Sequence, residues 1–134
     1  MIKSLYDSVK VGMSLEPLVR TADDTTPLTG IDTAGYESGL VIVSAGAMTT
    51  GGGTPETYTF QLYECATEGG SYTAVSGASV ALTAANTVGL LRVDNLLALQ
   101  RYLKVQLDVA GDSPSAACSA HILLSNGKSG PVNA

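Results

Sequence analysis

The chain has 134 residues, 45% of them hydrophobic and 14% charged, a balance that fits one globular domain and excludes a disordered polypeptide. Seven Lys plus Arg against twelve Asp plus Glu give a net charge of −5, which repels polyphosphate and argues against nucleic acid as a partner. No apolar run reaches the roughly 18–20 residues that cross a bilayer as a helix, and no basic-then-apolar leader opens the sequence, so the expectation is a soluble, non-exported chain without a membrane partner.

Residues 1–35 are expected to form an amino-terminal arm and linker. Ile2, Leu5, Tyr6 and Val9 fall at helical spacing, but Val9, Val11, Met13 and Leu15 then switch to period two. Burying these side chains returns about as much as ordering the backbone costs, so the arm needs further backbone hydrogen bonds. It gains them by adding a strand to its own sheet or by lying on another subunit. Residues 21–29, rich in Asp and Thr and containing Pro27, read as an exposed link.

Residues 36–127 carry short apolar runs between Gly, Ser, Thr, Asn and Pro at the spacing of a sandwich or barrel, with no long helix between them. Aromatics are few and Trp is absent, so the core must be built from Val, Leu, Ile and Ala, which suits sheets. Gly39 to Ser44 is a near-continuous apolar run and reads as a strand covered on both faces. Gly51 to Gly53 mark a hairpin tip before Tyr58 to Glu64, where Tyr58, Phe60 and Leu62 share one face. Tyr72 to Val75, Ser79 to Thr83 and Val88 to Val93 read as three further strands, with Asn86 between the last two. Asp94 to Gln100 is expected to be a loop or a single turn capped by Asp94. Leu103, Val105, Leu107 and Val109 then alternate with polar residues, as do Cys118, Ala120, Ile122 and Leu124 with Ser119, His121 and Leu123. Asn126-Gly127 ends the series, and residues 128–134 read as a polar tail.

The residues that carry chemistry do not converge on a reactive pattern, so no catalytic residue, metal ligand or cofactor is assigned. His121 is the single histidine, and no G-x-S-x-G elbow accompanies it. Gly127-Lys128-Ser129 resembles the end of a P-loop, but Ile122 stands where that motif needs glycine and Pro131 blocks the helix that should follow. Asp23, Asp24 and Asp32 lack the spacing of a calcium loop. Cys65 and Cys118 form no Cys-x-x-Cys and are expected to be reduced, buried thiols, the alternative being that they face each other across two sheets. Tyr36, Tyr58, Tyr63, Tyr72 and Tyr102 are available to stack on sugars, although most sit where packing residues belong. Arg92, Arg101, Tyr102 and Lys104 are expected to form a charged interface, the bland alternative being ordinary pairing of the arginines with Asp94 or Asp108.

Four ordered pieces add a resemblance: IDTAGYESGLVIVSAGAMT, YTFQLYECATEGGSYTAV, LLRVDNLLALQRYLKVQLDV and SNGKSGPV. From about Asp32 to Val132 the chain resembles cement or decoration proteins of tailed-bacteriophage heads, in particular jelly-roll cement proteins similar to that of the Bordetella phage. The turn-rich stretch Glu64 to Val75 and the strand Arg101 to Val105 carry most of the likeness. It implies an all-β, antiparallel jelly-roll-like sandwich with an extended amino-terminal arm. It further implies a homodimer or homotrimer on the outer surface of a virion, assembled in the bacterial cytoplasm, that ties neighbouring major capsid proteins together. The capsid-binding arm would then use Ile2, Leu5, Tyr6, Val9, Val11, Met13 and Leu15. Two alternatives stand beside this reading, a carbohydrate-binding module and a neck or tail structural protein.

Overall fold

The computed structural model describes residues 4, 8–23, 29–49 and 53–125. Eight strands follow one another: β1 (Val9–Arg20), β2 (Ile31–Asp32), β3 (Ser38–Met48), β4 (Thr57–Cys65), β5 (Thr73–Leu82), β6 (Thr87–Val93), β7 (Tyr102–Ala110) and β8 (Ala116–Ser125). They build two antiparallel sheets, one ordered β1-β8-β3-β6 and the other β2-β7-β4-β5. Hydrogen-bonded partners nest about the middle of the chain: β4 with β5, β3 with β6, β2 with β7 and β1 with β8. One long hairpin folded over on itself produces this order, and the pairings of β3 with β8 and β4 with β7 complete the sheets. Eight strands arranged this way make a jelly roll, the sandwich that the alternation and turn spacing predict.

The alternating residues meet between the sheets. Tyr58, Phe60 and Leu62 of β4 and Leu103, Val105 and Leu107 of β7 pack against Val41 and Val43 of β3 and Ala120, Ile122 and Leu124 of β8, all at most 1% exposed. Tyr58 keeps its hydroxyl satisfied at the end of this core, donating to the Thr49 carbonyl at 2.9 Å and accepting from the Ser115 amide at 2.9 Å. The lone Phe and the buried Tyr supply the bulk that an otherwise aliphatic core lacks.

The amino-terminal segment takes the first of its two options. β1 pairs with β8 from Val9 to Arg20 as an edge strand of the protein's own sheet, so the sandwich takes in β1 and β2, upstream of Tyr36. Two register shifts, between Met13 and Leu15 and between Leu15 and Leu18, bend the strand. The first lets Ser14 and Leu15 both point inward, each 0% exposed. Ser14 Oγ accepts from the Val105 amide at 2.7 Å in the opposite sheet. The reason lies in β2, whose two residues pair only with Leu103 and Tyr102 and leave the rest of that edge of β7 without a strand among the described residues. Asp23 does the same further along, its Oδ1 accepting from the Val109 amide at 2.7 Å. Side chains from the upstream segment thus stand in for a missing strand. Arg20 ends β1 almost fully buried, its Nη1 donating to the carbonyls of Glu16 at 2.8 Å and Cys118 at 2.9 Å.

Several local expectations are corrected. The two strands expected at Tyr72 to Val75 and Ser79 to Thr83 are one strand, β5, interrupted by a bulge at Gly77, which adopts φ 75°. Gln61 makes the bulge tolerable: its Nε2 donates to the carbonyls of Val75 at 2.8 Å and Ala78 at 2.9 Å. The Asp94 to Gln100 segment holds a short 3-10 turn, Leu96–Ala98, whose cap is Asn95 rather than Asp94: Asn95 Oδ1 accepts from the Leu97 amide at 3.2 Å, while Asp94 accepts from Arg92. β3 is fully covered on one face only; Leu40, Ile42 and Ser44 on the other face are half-buried. Cys65 and Cys118 are both free, buried thiols, as expected. They do not oppose each other, since the register puts Cys118 with the inward residues of β8 and Cys65 opposite Tyr102 on the outer face of β4. Asn126-Gly127, the Gly-Lys-Ser tail and most of the glycine hairpin tip lie outside the described residues.

Candidate functional site

Strand parity fixes what each sheet shows to the outside. On the β1-β8-β3-β6 sheet the inward set is Gly12, Ile122, Val41 and their neighbours, so the outward set begins one residue on. One row across the sheet runs Val11, Leu123, Leu40 and Arg92; the next runs Met13, His121, Ile42 and Leu90. Ser119, Ser44 and Val88 continue it. Val88 is 63% exposed, Leu90 60% and Val11 55%, whereas ordinary half-solvated sheets place polar residues at such positions. Paired serine hydroxyls bound the apolar rows on both sides, Ser38 with Ser125 at 2.8 Å and Ser44 with Ser119 at 2.9 Å. A groove of about 300 Å³ lies beyond the second pair, where β1 leaves register: Pro17 and Leu18 form one wall, Ser44 and Gly46 the other, and Ala117 and Ser119 the floor.

The outer face of the β2-β7-β4-β5 sheet is of opposite character. Tyr102, Lys104, Gln106 and Asp108 of β7 stand beside Tyr63, Gln61 and Thr59 of β4. Lys104 Nζ lies 4.4 Å from the centre of the Tyr72 ring, and the Arg101 guanidinium 5.2 Å from that of Tyr102. One face of each ring is therefore already occupied by a cation, which counts against sugar stacking there. Burial pushes the Tyr72 hydroxyl above its usual pKa, with the neighbouring Cys65 and Glu68 adding to the rise.

Arg101 makes a two-pronged contact with Asp32, Nε to Oδ1 and Nη2 to Oδ2 both at 2.8 Å, while Asp32 Oδ1 also accepts from the Ala34 amide at 3.0 Å. The Arg101 hydrogen bond is the main reason the Asp32 carboxyl falls from its usual 3.8 to about 2, against a smaller upward push from burial; the same contact raises Arg101. A carboxyl held below its unfolded value stabilises the fold at pH above about 4 and loses that contribution as pH falls toward about 2. The contribution is small, since the side chains are 39% and 54% exposed. Asp32→Asn should flatten the dependence of Tm on pH within that window and leave the slope above it unchanged; an unaltered acid slope would show that the pair is idle.

The expected interface residues divide between surfaces. Ile2, Leu5 and Tyr6 lie outside the described residues. Val9, Val11 and Met13 face outward on β1, but Leu15 is wholly buried and belongs to the core, because the bulge reverses parity between Met13 and Leu15. Arg101, Tyr102 and Lys104 adjoin one another, whereas Arg92 sits on β6 in the other sheet, so the four do not form one cluster. Arg92 Nε donates to Asp94 Oδ1 at 2.6 Å, as the bland alternative has it, while Arg101 pairs with Asp32 rather than Asp94 or Asp108. The apolar outer face was missed as a site. Only Leu123 gave a signal in the sequence, alternating with the core-facing residues of β8 and apolar nonetheless; Leu40, Ile42, Val88 and Leu90 join it once strand pairing fixes the inward side. Among the described residues, no group of three His, Cys, Asp or Glu gathers closely enough to hold a metal ion.

Comparison with protein-family models and with curated protein sequences finds no match. Among solved structures, the chain is similar to one in the structure of infectious bursal disease virus Gx strain, with a TM-score of 0.51 and 16% identity. The likeness is one of fold. It extends over 93% of this chain and 34% of that one, so the protein spans about a third of the length of the viral chain it matches.

Proposed function

We propose that the protein is a structural component of a tailed-phage particle that binds the outer surface of the icosahedral head and ties neighbouring major capsid subunits together. The observation that carries this reading is the exposed apolar face of the β1-β8-β3-β6 sheet, a contiguous aliphatic surface on an acidic chain, which marks a binding protein rather than an isolated domain. A jelly roll with a fold match in a virus structure supports it, as does the resemblance to phage cement proteins. The mechanism is attachment. Each copy adds buried area and hydrogen bonds across a seam of the shell, and repetition over the lattice turns modest contacts into mechanical reinforcement. No cofactor takes part.

Quantitative mass spectrometry of purified, DNA-filled particles tests this directly. Hundreds of copies per particle are expected of a shell protein. A dozen or fewer would place it at the neck or tail, and absence from finished particles would reject a virion role.

A further inference from the structure

We infer that the protein forms a two-fold dimer by antiparallel pairing of β6 with β6 of a second copy, so that two β1-β8-β3-β6 sheets join into one. The pairing is independent of the virion role; only its use as a bridge, given below, rests on that reading.

Each sheet has two edges, and among the described residues three of the four are blunted. β1 contains Pro17, which has no amide to donate, and two register shifts bend it. Side chains cap the edge of β7 beyond β2, with Ser14 on the Val105 amide and Asp23 on the Val109 amide. β5 is kinked by its bulge at Gly77. β6 has no such device. Its 7 residues hold neither proline nor bulge, and its register with β3 runs unbroken from Thr87 to Val93.

One hydrogen bond fixes where the backbone of β6 points. The Asn86 amide donates to the Gly46 carbonyl at 2.9 Å, in register with the pairing of β3 and β6. Bonded pairs recur at every second residue of an antiparallel ladder, so Val88, Leu90 and Arg92 turn their N–H and C=O groups toward β3. Thr87, Gly89, Leu91 and Val93 turn theirs the other way, to a side where no described strand pairs with them. Such a row of donors and acceptors is the template for another strand.

Register makes a second β6 the fitting strand. A two-fold axis at Gly89 sets Gly89 against its own copy and Thr87 against Leu91, giving about six backbone hydrogen bonds. Val88 then opposes Leu90 at the close, non-hydrogen-bonded positions where cross-strand side chains pack best. These residues are 63% and 60% exposed in one copy, and four aliphatic side chains cover one another across the axis. No carboxylate lies in β6, and the same register puts Arg92 opposite Asn86 and Asp94 opposite Ala84, so like charges do not meet. Repulsion between two chains of net charge −5 is screened over about 8 Å at physiological salt.

The pairing also supplies what a bridge needs. One copy has a single apolar outer face, whereas the dimer carries two, side by side on one extended sheet. Two faces related by a two-fold axis let one molecule hold two shell subunits at once.

Light scattering on the purified chain is expected to give twice the 13.6 kDa of one copy, and Tm is expected to rise with protein concentration. Leu90→Lys alters an exposed side chain, keeps the fold, and should weaken the dimer about tenfold or more. Oxidising a mixture of Val88→Cys and Leu90→Cys chains should cross-link the two variants to each other faster than either to itself, while Val11→Cys, at the opposite edge, stays uncrosslinked. A monomer at every concentration, a dimer that Leu90→Lys leaves unchanged, or cross-linking through Val11→Cys instead overturns the inference. A dimer that is absent from DNA-filled particles upholds the pairing and rejects the virion role. A monomer present there in hundreds of copies does the reverse.

Discussion

Phe60→Ala should destabilise the protein by about 3–5 kcal/mol. Phe60 is the only phenylalanine in the chain, 1% exposed at the middle of β4, and it faces the aliphatic inner surface of the other sheet. Its cross-strand neighbours, Leu107 of β7 and Val80 of β5, are held in place by strand pairing and cannot swing into the space it would leave. A domain of this size is stable by about 5–15 kcal/mol in total, so the loss consumes a large part of the margin. Thermal unfolding should show a fall in Tm on the order of 10 °C or more. A drop of only a degree or two would mean that the core collapses around the vacancy, and that the two sheets are less rigidly spaced than their strand pairing implies.

Ser14→Ala should cost about 1–3 kcal/mol, out of proportion to the loss of one oxygen. The Val105 amide is left buried without its 2.7 Å acceptor, at a point where the short β2 offers no backbone carbonyl in its place. Met13→Ala, one residue earlier and 42% exposed, is the control and should change Tm by no more than about 0.5 kcal/mol would. The same geometry predicts the outcome of trimming the amino terminus. Removing residues 1–8 spares every pairing of β1, whereas removing residues 1–15 takes away Ser14, Leu15 and half of an edge strand, and should unfold the domain. Chemical denaturation of the two truncations distinguishes a structural strand from a detachable arm. Equal stability of both would show that β8 holds the sheet without β1.

The parts of the fold that were legible in the sequence are those where one face is dry and one wet. β4, β7 and β8 announce themselves through strict alternation, and the residues read as inward are buried except Val109, which is half-buried near the end of β7; Ser119, read on the other face of β8, is buried as well. β1 was harder because its parity changes twice, at the bulges beside Leu15 and Leu18, so period two is lost just where the strand is most deeply engaged. β5 was split because Gly77 breaks its alternation, and only the third dimension reveals that Gln61 closes the gap. The apolar outer face was hidden by a different cause. A hydrophobic residue in a strand is read as core by default, and Leu40, Ile42, Val88 and Leu90 are distinguishable only once the partner strands fix which side is inward. The expected charged cluster failed for the same reason: Arg92 and Arg101 are nine positions apart in the chain, and the turn at Leu96–Ala98 carries the polypeptide from one sheet to the other between them.

The concentric pairing of strands also governs the order in which the molecule is made. During translation β4 and β5 find each other first, but β3 waits for β6, β2 for β7, and the bent edge strand that begins at Val9 waits for the segment ending at Ser125. Until the ribosome has released nearly the whole described chain, Leu15 and Ile122 have no common interior to enter. Slow, late closure follows from such distant partners. The unfinished polypeptide would thus expose aliphatic edges while it waits, so its yield should depend on chaperone supply and on growth temperature.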